Sequence, residues 1–338
     1  MKFNRDDYTL SDAGFLTKTP KLLAVVGLAA VVALYFVGDH HDKGIVLKSY
    51  LTSFMFWTSI GLGGLFFTMV HHLTSARWSV VIRRVSETAM ATLPVMAVLF
   101  IPILLGVHEI YHWTHDNPAD TLLQAKKSFL NVPFFVIRSI IYFGIWIALA
   151  YLLYRGSRSH DDDGSPETAN RLKAISAPGM LLFALSITFA AFDWMMSMDH
   201  HWYSTIFGVY VFAGSFLAIL SFMALTFIYL RSQGVLDKEV TVEHYHDIGK
   251  FIFAFTVFWA YSGFSQYFLI WYGNIPEETV WYLHRWEHGW SFVSMFLFFG
   301  HFVFPFLFLM SREPKRNIKA MASFPFGCCS YTGSTFTG

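Results

Sequence analysis

The sequence is poor in cysteine and in charge, and both shortages restrict what the chain can do. Its only two cysteines, Cys328 and Cys329, are adjacent, so there is no CxxC pair, no CxxCH haem attachment and no set of thiolates for an iron-sulfur cluster. Only 14% of the 338 residues are charged, and the net charge of +1 leaves no basic surplus for nucleic acid. We therefore expect no cofactor in this chain, any iron-sulfur cluster or c-type haem on partner proteins, and no nucleic-acid partner.

A cleavable signal peptide is also missing from the start of the chain. Residues 1–19 carry Asp6, Asp7 and Asp12 among their basic residues and lead into a full apolar span without a small-residue cleavage site. We expect residues 1–19 to form a cytoplasmic N-terminal segment, and membrane insertion to begin with the first helix.

What the sequence does have is apolar length. Hydrophobic residues make up 55% of the chain, and 37 Phe, 16 Tyr and 11 Trp suit a lipid-facing surface with aromatic belts. A helix needs about 20 mostly apolar residues to cross a bilayer. Eight segments qualify: Pro20 to Val37, Tyr50 to Leu73, Thr88 to Val107, Leu130 to Tyr154, Ile175 to Met198, Tyr203 to Leu230, Phe251 to Tyr272 and Trp290 to Ser311. The sequence predicts an all-α, polytopic transmembrane bundle over residues 20–312.

The distribution of basic residues predicts the orientation. Of the 24 Lys and Arg, 18 lie in segments on the same side as the termini and five on the other side, so both termini are predicted to be cytoplasmic. Ser157 to Asn170 and Ser232 to Asp247 are predicted to be solvated cytoplasmic linkers. Residues 313–338 are predicted to form a polar tail, disordered or truncated. The run Gly61 to Gly64 lies within a span, where small residues favour close helix packing.

Ionisable residues fall into three layers along the predicted spans. Charged groups inside a membrane are costly, so they mark either a pathway or a buried pair. With a rise of about 1.5 Å per residue, the sequence places Glu109, Arg138 and Asp193 near the periplasmic end, and Tyr142, Tyr261 and His301 near the middle. The cytoplasmic layer comprises His71, His72, Glu87, His244, His246, Asp247 and Lys250. One hypothesis is a proton pathway through these residues, with water filling the gaps.

The structural alternative stays open for each layer. Arg138 and Asp193 lie on consecutive antiparallel helices and could form a static ion pair. His301 could be a core histidine bonded to a carbonyl or hydroxyl group, and the terminal histidines could be ordinary interfacial residues.

Two metal-binding interpretations are weaker. The segment HEIYH (His108 to His112) matches the HExxH pattern of zinc proteases. However, it lies at a helix mouth, and no third ligand has a protease-like spacing. A bis-histidine haem needs ligands on two facing helices at the same depth, and only His301 is deep. We therefore expect neither metal nor haem to bind here.

Three segments resemble a known family. They are HHLTSARWSVVIRR (His71 to Arg84), FDWMMSMDHHWYSTIFGVYVFAG (Phe192 to Gly214) and HDIGKFIFAFTVFWAYSGFSQYFLIWYGNIPEETVWYLHRW (His246 to Trp286). They resemble the alternative complex III family, and within it the second of two NrfD-like, polysulfide-reductase-type membrane subunits (ActF). The resemblance runs from about Tyr50 to Arg312.

The resemblance implies a respiratory role in a bacterial inner membrane. That complex oxidises menaquinol and passes electrons through iron-sulfur and c-haem subunits to a cytochrome or directly to a terminal oxidase. The implied partners are those subunits, a homologous NrfD-like subunit and lipids. The chain itself would be a scaffold with a proton route, not catalytic alone. The resemblance leaves a menaquinone contact open, because the main quinol site is implied in the sister subunit.

The family pattern also has two four-helix bundles with flanking helices, ten spans in all. Here the last two spans are absent after Arg312, and the tail stands in their place. The competing interpretations are a secondary transporter with a midplane polar site, which would have broken helices in corresponding halves, and, more remotely, an intramembrane zinc protease.

Overall fold

The computed structural model describes residues 21–27, 29, 40–115, 117–236, 238–287, 289–318 and 320–321. Over these ranges the chain is all-helical. Seven helices are long and apolar enough to cross a membrane. In chain order they are α1 (His40–Thr74), α2 (Arg83–Leu105), α3 (Val132–Asp163), α4 (Pro166–Trp194), α5 (Phe207–Ser232), α6 (Val242–Gly273) and α7 (Trp290–Met310).

These helices support a multi-pass membrane protein and coincide with seven of the eight predicted spans. The other predicted span, Pro20 to Val37, lies largely outside the described residues, although residues 21–27 are helical. The segment 1–19 lies wholly outside them. The ten-span pattern and the cytoplasmic termini stay predictions.

Two helices form the centre of the bundle. Of an 18-residue apolar stretch within each helix, 72% is buried in α1 and in α5, against 17% in α7. α1 packs against α2, α4 and α5, while α3 packs on α4 and α6 packs on α5. One hydrophobic core fills the space among α1 to α4, with Trp146 and Trp194 fully buried, and a second surrounds α5 and α6. The central helices therefore hold both cores together.

Glycines allow α1 to approach its neighbours closely. A Cβ atom at Gly63 would collide with the carbonyl oxygen of Ser215 in α5 and lie 2.6 Å from Cγ2 of Ile219. A Cβ atom at Gly64 would lie 2.7 Å from the carbonyl oxygen of Ser86 in α2. The predicted packing role of the Gly61 to Gly64 run is confirmed.

The predicted linker from Ser157 to Asn170 is instead a helical hairpin. α3 continues to Asp163, and Gly164 adopts a left-handed conformation with φ 58° that ends it. The side chain of Ser165 then caps α4 by accepting a hydrogen bond from the Thr168 backbone N–H. The predicted ends of the two spans, Tyr154 and Ile175, were too early and too late because they followed hydropathy, whereas polar residues can continue a helix whose end is capped. The second linker is shorter than predicted, because α5 ends at Ser232 and α6 begins at Val242.

The start of the predicted tail is ordered. Residues Arg312–Arg316 form a short helix, and Lys315 is buried with its Nζ 5.5 Å from the Phe253 ring centroid of α6. Arg316 forms an ion pair with Glu243 at 2.6 Å, and Met321 is fully buried. Residues 313–316 of the predicted tail therefore pack on α6, and Met321 lies in the core around α5 and α6, so the prediction of disorder does not hold for these residues. Residues 322–338 lie outside the described part.

Two spans depart from regular α-helix. α2 consists of the short helices Arg83–Met90, Leu93–Leu99 and Ile101–Leu105, and α7 contains a π-helical turn, Leu297–Val303. The backbone nevertheless stays in the right-handed helical region at Ala91, Phe100 and Leu297. Neither span is unwound in the way that the transporter interpretation predicts for a midplane site.

Candidate functional site

The predicted pair between Arg138 of α3 and Asp193 of α4 is formed. Arg138 donates from Nε to Oδ2 and from its second terminal nitrogen to Oδ1 of Asp193, both at 2.8 Å. The hydroxyl of Tyr142, one turn further along α3, donates to Oδ2 at 2.6 Å. Asp193 is fully buried. One carboxylate therefore holds three donors from a single helix, and we name this set the Asp193 centre.

Aromatic rings enclose the cation of the Asp193 centre. The Arg138 guanidinium lies 3.9 Å from the Phe129 ring centroid and 4.1 Å from that of Phe134. Its remaining terminal nitrogen donates to the Phe129 carbonyl oxygen at 3.0 Å. A cation between two ring faces is stabilised where water is excluded. Hydrogen bonds from three of its nitrogens and two aromatic rings therefore hold the guanidinium in place.

The backbone around Asp193 is held as firmly as its side chain. Ser197 donates its hydroxyl to the Asp193 carbonyl oxygen at 2.5 Å, and Trp113 donates to the Ser197 hydroxyl at 3.2 Å. Tyr111 donates to the Trp194 carbonyl oxygen at 2.9 Å. The segment after α2 is therefore bound to the end of α4, and we call this end of the bundle the Asp193 end.

A second buried carboxylate, Glu87, lies at the opposite end of the bundle. It is fully buried in α2 and forms ion pairs with Nε of Arg83 at 2.8 Å and a terminal nitrogen of Arg84 at 2.6 Å. Ser157 of α3 donates to its Oε1 at 2.6 Å, and Asp161 pairs with Arg84. These residues form the Glu87 centre.

The Glu87 centre includes one of the two histidines that end α1. Arg83 donates to Nε2 of His71 at 3.1 Å, and Nδ1 of His71 lies 2.6 Å from the Ser79 hydroxyl. Since arginine can only donate, we assign the ring proton to Nδ1. The ring of His72 packs edge-on at 5.2 Å, and its buried Nε2 has no hydrogen-bond partner among the described residues. The predicted proximity of His71 to Glu87 is thus realised through Arg83.

The predicted midplane pair does not share one environment. His301 is fully buried in the π-helical turn, with its ring edge-on to Trp259 at 4.4 Å. Tyr261 is 62% exposed. Tyr142 belongs to the Asp193 centre instead. His301 and Tyr261, which the predicted relay joins, therefore lie in different environments, one buried and one exposed.

An apolar groove of about 780 Å³ lies between α5, α6 and α7 at the Asp193 end. Its walls are mostly aromatic and aliphatic, and Met195 joins it to the end of α4. The polar lining includes Gln266, Tyr282 and Arg285. Burial lowers the pKa of Arg285 to about 10 and raises the pKa of Tyr282 to about 12, so at neutral pH one is a cation and the other a neutral phenol. An apolar body with a polar end suits an amphiphilic ligand.

Residues of two of the family-like segments meet beside the polar end of the groove. Trp202 stacks on Trp281 with ring centroids 4.1 Å apart and an interplanar angle of 6°. Ser204 donates to Oε1 of Gln266 at 2.9 Å, and Gln266 donates to the Tyr282 hydroxyl at 3.1 Å. These contacts join the segment after α4 to α6 and to the helix Pro276–His284.

Other predicted residues take no part in these centres. Asp247 forms an ion pair with Lys250 at 2.6 Å within α6. His244 completes the capping box at the start of α6, and Glu109 is half-buried after α2. The helix Val107–Ile110 ends before His112, and Tyr111 is extended. His108 and His112 therefore do not share one helical turn, which removes the geometric basis of the zinc-protease interpretation.

Sequence reasoning missed several residues of these sites. The spacing of Arg83 and Glu87, four apart, could have indicated their pairing on one helix face. Ser157, Gln266 and Tyr282 gave no sequence signal, because their roles depend on contacts between helices.

No family model matches the chain, and no curated protein matches it.

Proposed function

We propose that the chain is a membrane subunit of a quinol-oxidising respiratory complex of the alternative complex III type. One observation carries the proposal: the two longest family-like segments meet in space beside the polar end of the groove. The stacking of Trp202 on Trp281 and the hydrogen bond from Ser204 to Gln266 join them. The two segments that resemble the family thus meet beside a concave apolar surface, which is the usual form of a ligand site.

The groove supports a contact with menaquinone. Its volume of about 780 Å³ suits a ring with an isoprenoid chain, and its apolar walls suit that chain. The hydroxyl of Tyr282 and the guanidinium of Arg285 supply donors of the kind that quinone oxygens accept. Oxidation of a quinol releases two electrons and two protons, and in this proposal the electrons pass to iron-sulfur and c-haem partners.

The two buried centres would be the ends of a proton route. Glu87 lies at one end of the bundle and Asp193 at the other, each fully buried, and a membrane of about 30 Å separates such positions. Intramembrane carboxylates of this kind are expensive and mark function by default. Both termini would be cytoplasmic and the membrane a bacterial inner membrane.

The test is an inventory of the native complex. The chain is tagged in its own cells, extracted in mild detergent and compared with an unrelated tagged multi-pass protein. We expect a homologous membrane subunit, iron-sulfur and c-haem proteins, and quinol-dependent reduction of cytochrome c, all specific to this chain. Isolation of the chain with none of these partners, or with substrate uptake by the chain alone, would overturn the proposal.

The quinone contact has a separate test. A photoreactive menaquinone analogue is cross-linked to the complex, and labelled peptides are mapped with excess menaquinol or excess phospholipid as competitor. We expect labelling within residues 257–267 or 281–302, suppressed by menaquinol and not by phospholipid. Suppression by phospholipid instead would identify the groove as a lipid site.

A further inference from the structure

Three potential metal ligands meet at the Asp193 end of the bundle. They are Asp120, in the connection between α2 and α3, and His200 and His201, between α4 and α5. One carboxylate oxygen and one nitrogen from each ring lie within 4.8 Å of one another. Asp120 and His200 are 80 residues apart in sequence, so only the fold brings these ligands together.

The geometry of the cluster is close to that of a tetrahedral metal site. Zinc–ligand bonds of about 2.0 to 2.2 Å imply ligand atoms about 3.3 to 3.5 Å apart. Oδ2 of Asp120 lies 2.9 Å from Nε2 of His200 and 3.1 Å from Nε2 of His201. These two separations fall short of the tetrahedral spacing by a few tenths of an ångström, and the ligand atoms of His200 and His201 lie within 4.8 Å of each other.

We propose that Asp120, His200 and His201 bind a divalent cation of the zinc class, with a fourth position open to water. Two imidazoles and one carboxylate suit zinc and its imidazole-binding neighbours. The ion would take the place of the hydrogens that now lie between each Nε2 and Asp120, and each neutral ring would carry its single proton on Nδ1 instead. The site does not depend on the quinol-oxidising role proposed above.

The surroundings hold the ligands in place. Oδ1 of Asp120 accepts the Leu123 backbone N–H at 3.0 Å, which leaves Oδ2 for the cluster. Lys126 donates to the His200 carbonyl oxygen at 2.6 Å.

The competing interpretation is a metal-free hydrogen-bonded cluster that joins the two connections. It predicts the same contacts and no affinity for metal. Metal titration of the full-length protein in detergent, after removal of metals with a chelator, separates the two. We expect one Zn²⁺ per chain, and Co²⁺ to give the intense visible absorption of a four-coordinate site.

Two variants and one matched control complete the test. Asp120→Asn keeps a helix-capping oxygen but loses the charge, and His201→Gln changes a side chain that is 50% exposed, so folding should tolerate both. We expect each to weaken Zn²⁺ binding at least tenfold. His115→Gln alters an exposed histidine of the same connection and should bind as the unmodified chain does.

The proposal fails if the unmodified chain binds no more Co²⁺ or Zn²⁺ than a chain that carries both Asp120→Asn and His201→Gln. It also fails if His115→Gln weakens binding as much as these variants do, because the affinity would then be scattered over surface histidines. Size-exclusion profiles check that each variant is folded, and if one variant aggregates the other decides.

Discussion

Asp193 combines two properties that are separable by mutation. As half of a buried ion pair it holds α3 and α4 in register, and as a carboxylate it could accept a proton. Arg138 and Tyr142 contribute three donors to it at 2.6 to 2.8 Å. Removal of one partner from a buried pair costs about 3 to 5 kcal/mol because the other charge is left uncompensated. A single substitution therefore alters both stability and titration.

The first prediction uses a double substitution to separate them. Asp193→Asn should lower the thermal midpoint of the purified complex markedly, and adding Arg138→Gln should recover part of the loss by removing the uncompensated cation. Quinol-driven proton release in vesicles is measured beside the electron-transfer rate. If Asp193 relays protons, the double variant regains stability but not the proton-to-electron ratio.

Two outcomes would show that Asp193 has only a structural role. One is a double variant that regains both stability and the proton-to-electron ratio. The other is normal assembly with wild-type rates and ratios in Asp193→Asn and in His301→Phe, tested side by side. His301→Phe fills a similar volume and removes the only ionisable group buried in α7 among its described residues.

The second prediction concerns the Glu87 centre and compares two carboxylates that share arginines. Glu87 is fully buried, whereas the side chain of Asp161 is 47% exposed. An exposed ion pair contributes about 0 to 1 kcal/mol to stability, because solvent screens it. Removing one partner of a buried ion pair costs about 3 to 5 kcal/mol. We therefore expect Glu87→Gln to lower the thermal midpoint far more than Asp161→Asn. Equal shifts would show that Glu87 is less enclosed than the structure indicates.

At the level of single residues, the sequence predicted an ion pair between two helices but not the sites that several helices build together. Arg138 and Asp193 were predictable because each is a charge inside an apolar span, on neighbouring antiparallel helices. The groove was not, since Gln266 and Tyr282 are ordinary polar residues until the fold joins them at 3.1 Å. The cluster of Asp120 with His200 and His201 was missed for the same reason.

Among the helices, α1 relies on glycines for its close packing against its neighbours. Gly63 faces Ser215 and Ile219 of α5 at a distance that leaves no room for a Cβ atom. Gly144 of α3, by contrast, has nothing within 4 Å of the position that its Cβ would occupy. The two glycines therefore differ in packing while both lie within spanning helices.

The third prediction follows from that difference. Gly63→Ala should destabilise the protein by about 1 to 3 kcal/mol, the usual cost of overpacking, because α1 and α5 must separate. Gly144→Ala should be neutral or stabilising by up to about 1 kcal/mol through helix propensity. Thermal unfolding in detergent measures both. A stable Gly63→Ala variant would mean that α5 moves away at little cost.

Hydropathy predicted where the helices are, and capping decided where they end. α3 passes its predicted end at Tyr154 and reaches Asp163, because Ser157 and Asp161 make contacts with the Glu87 centre. α4 starts at Pro166, nine residues before its predicted start, where Ser165 caps it. Polar extensions of this kind are invisible to a search for apolar length. The π-helical turn at His301 had no sequence signal.

For the molecule as a whole, burial is unevenly distributed. Of the 18-residue apolar stretch in each helix, only 17% is buried in α7 and 33% in α6, against 72% in α1 and α5. Side chains such as Phe292, Phe299 and Phe304 are more than half exposed on α7. A lipid or a partner subunit has to cover this apolar surface, because such extended exposure is unfavourable in water.

The fourth prediction is the orientation of the bundle. The Glu87 end carries the hairpin at Gly164, and the Asp193 end carries the connection with Asp120. Since most Lys and Arg lie in segments on the Glu87 side, that side is predicted to be cytoplasmic. Two exposed alanines, Ala169 near the hairpin and Ala119 beside Asp120, are matched positions for cysteine labelling.

Labelling of intact cells with a membrane-impermeant maleimide reads the orientation directly, in a background where Cys328 and Cys329 are replaced by serine. Ala119→Cys should react in intact cells, and Ala169→Cys should react only after the membrane is permeabilised. The pair controls for expression and for access of the reagent, because each variant is the other's reference. The reverse pattern would place the Asp193 end in the cytoplasm and invert the proposed proton route. Reaction of both in intact cells would contradict the transmembrane arrangement of α3, the helix that separates the two positions.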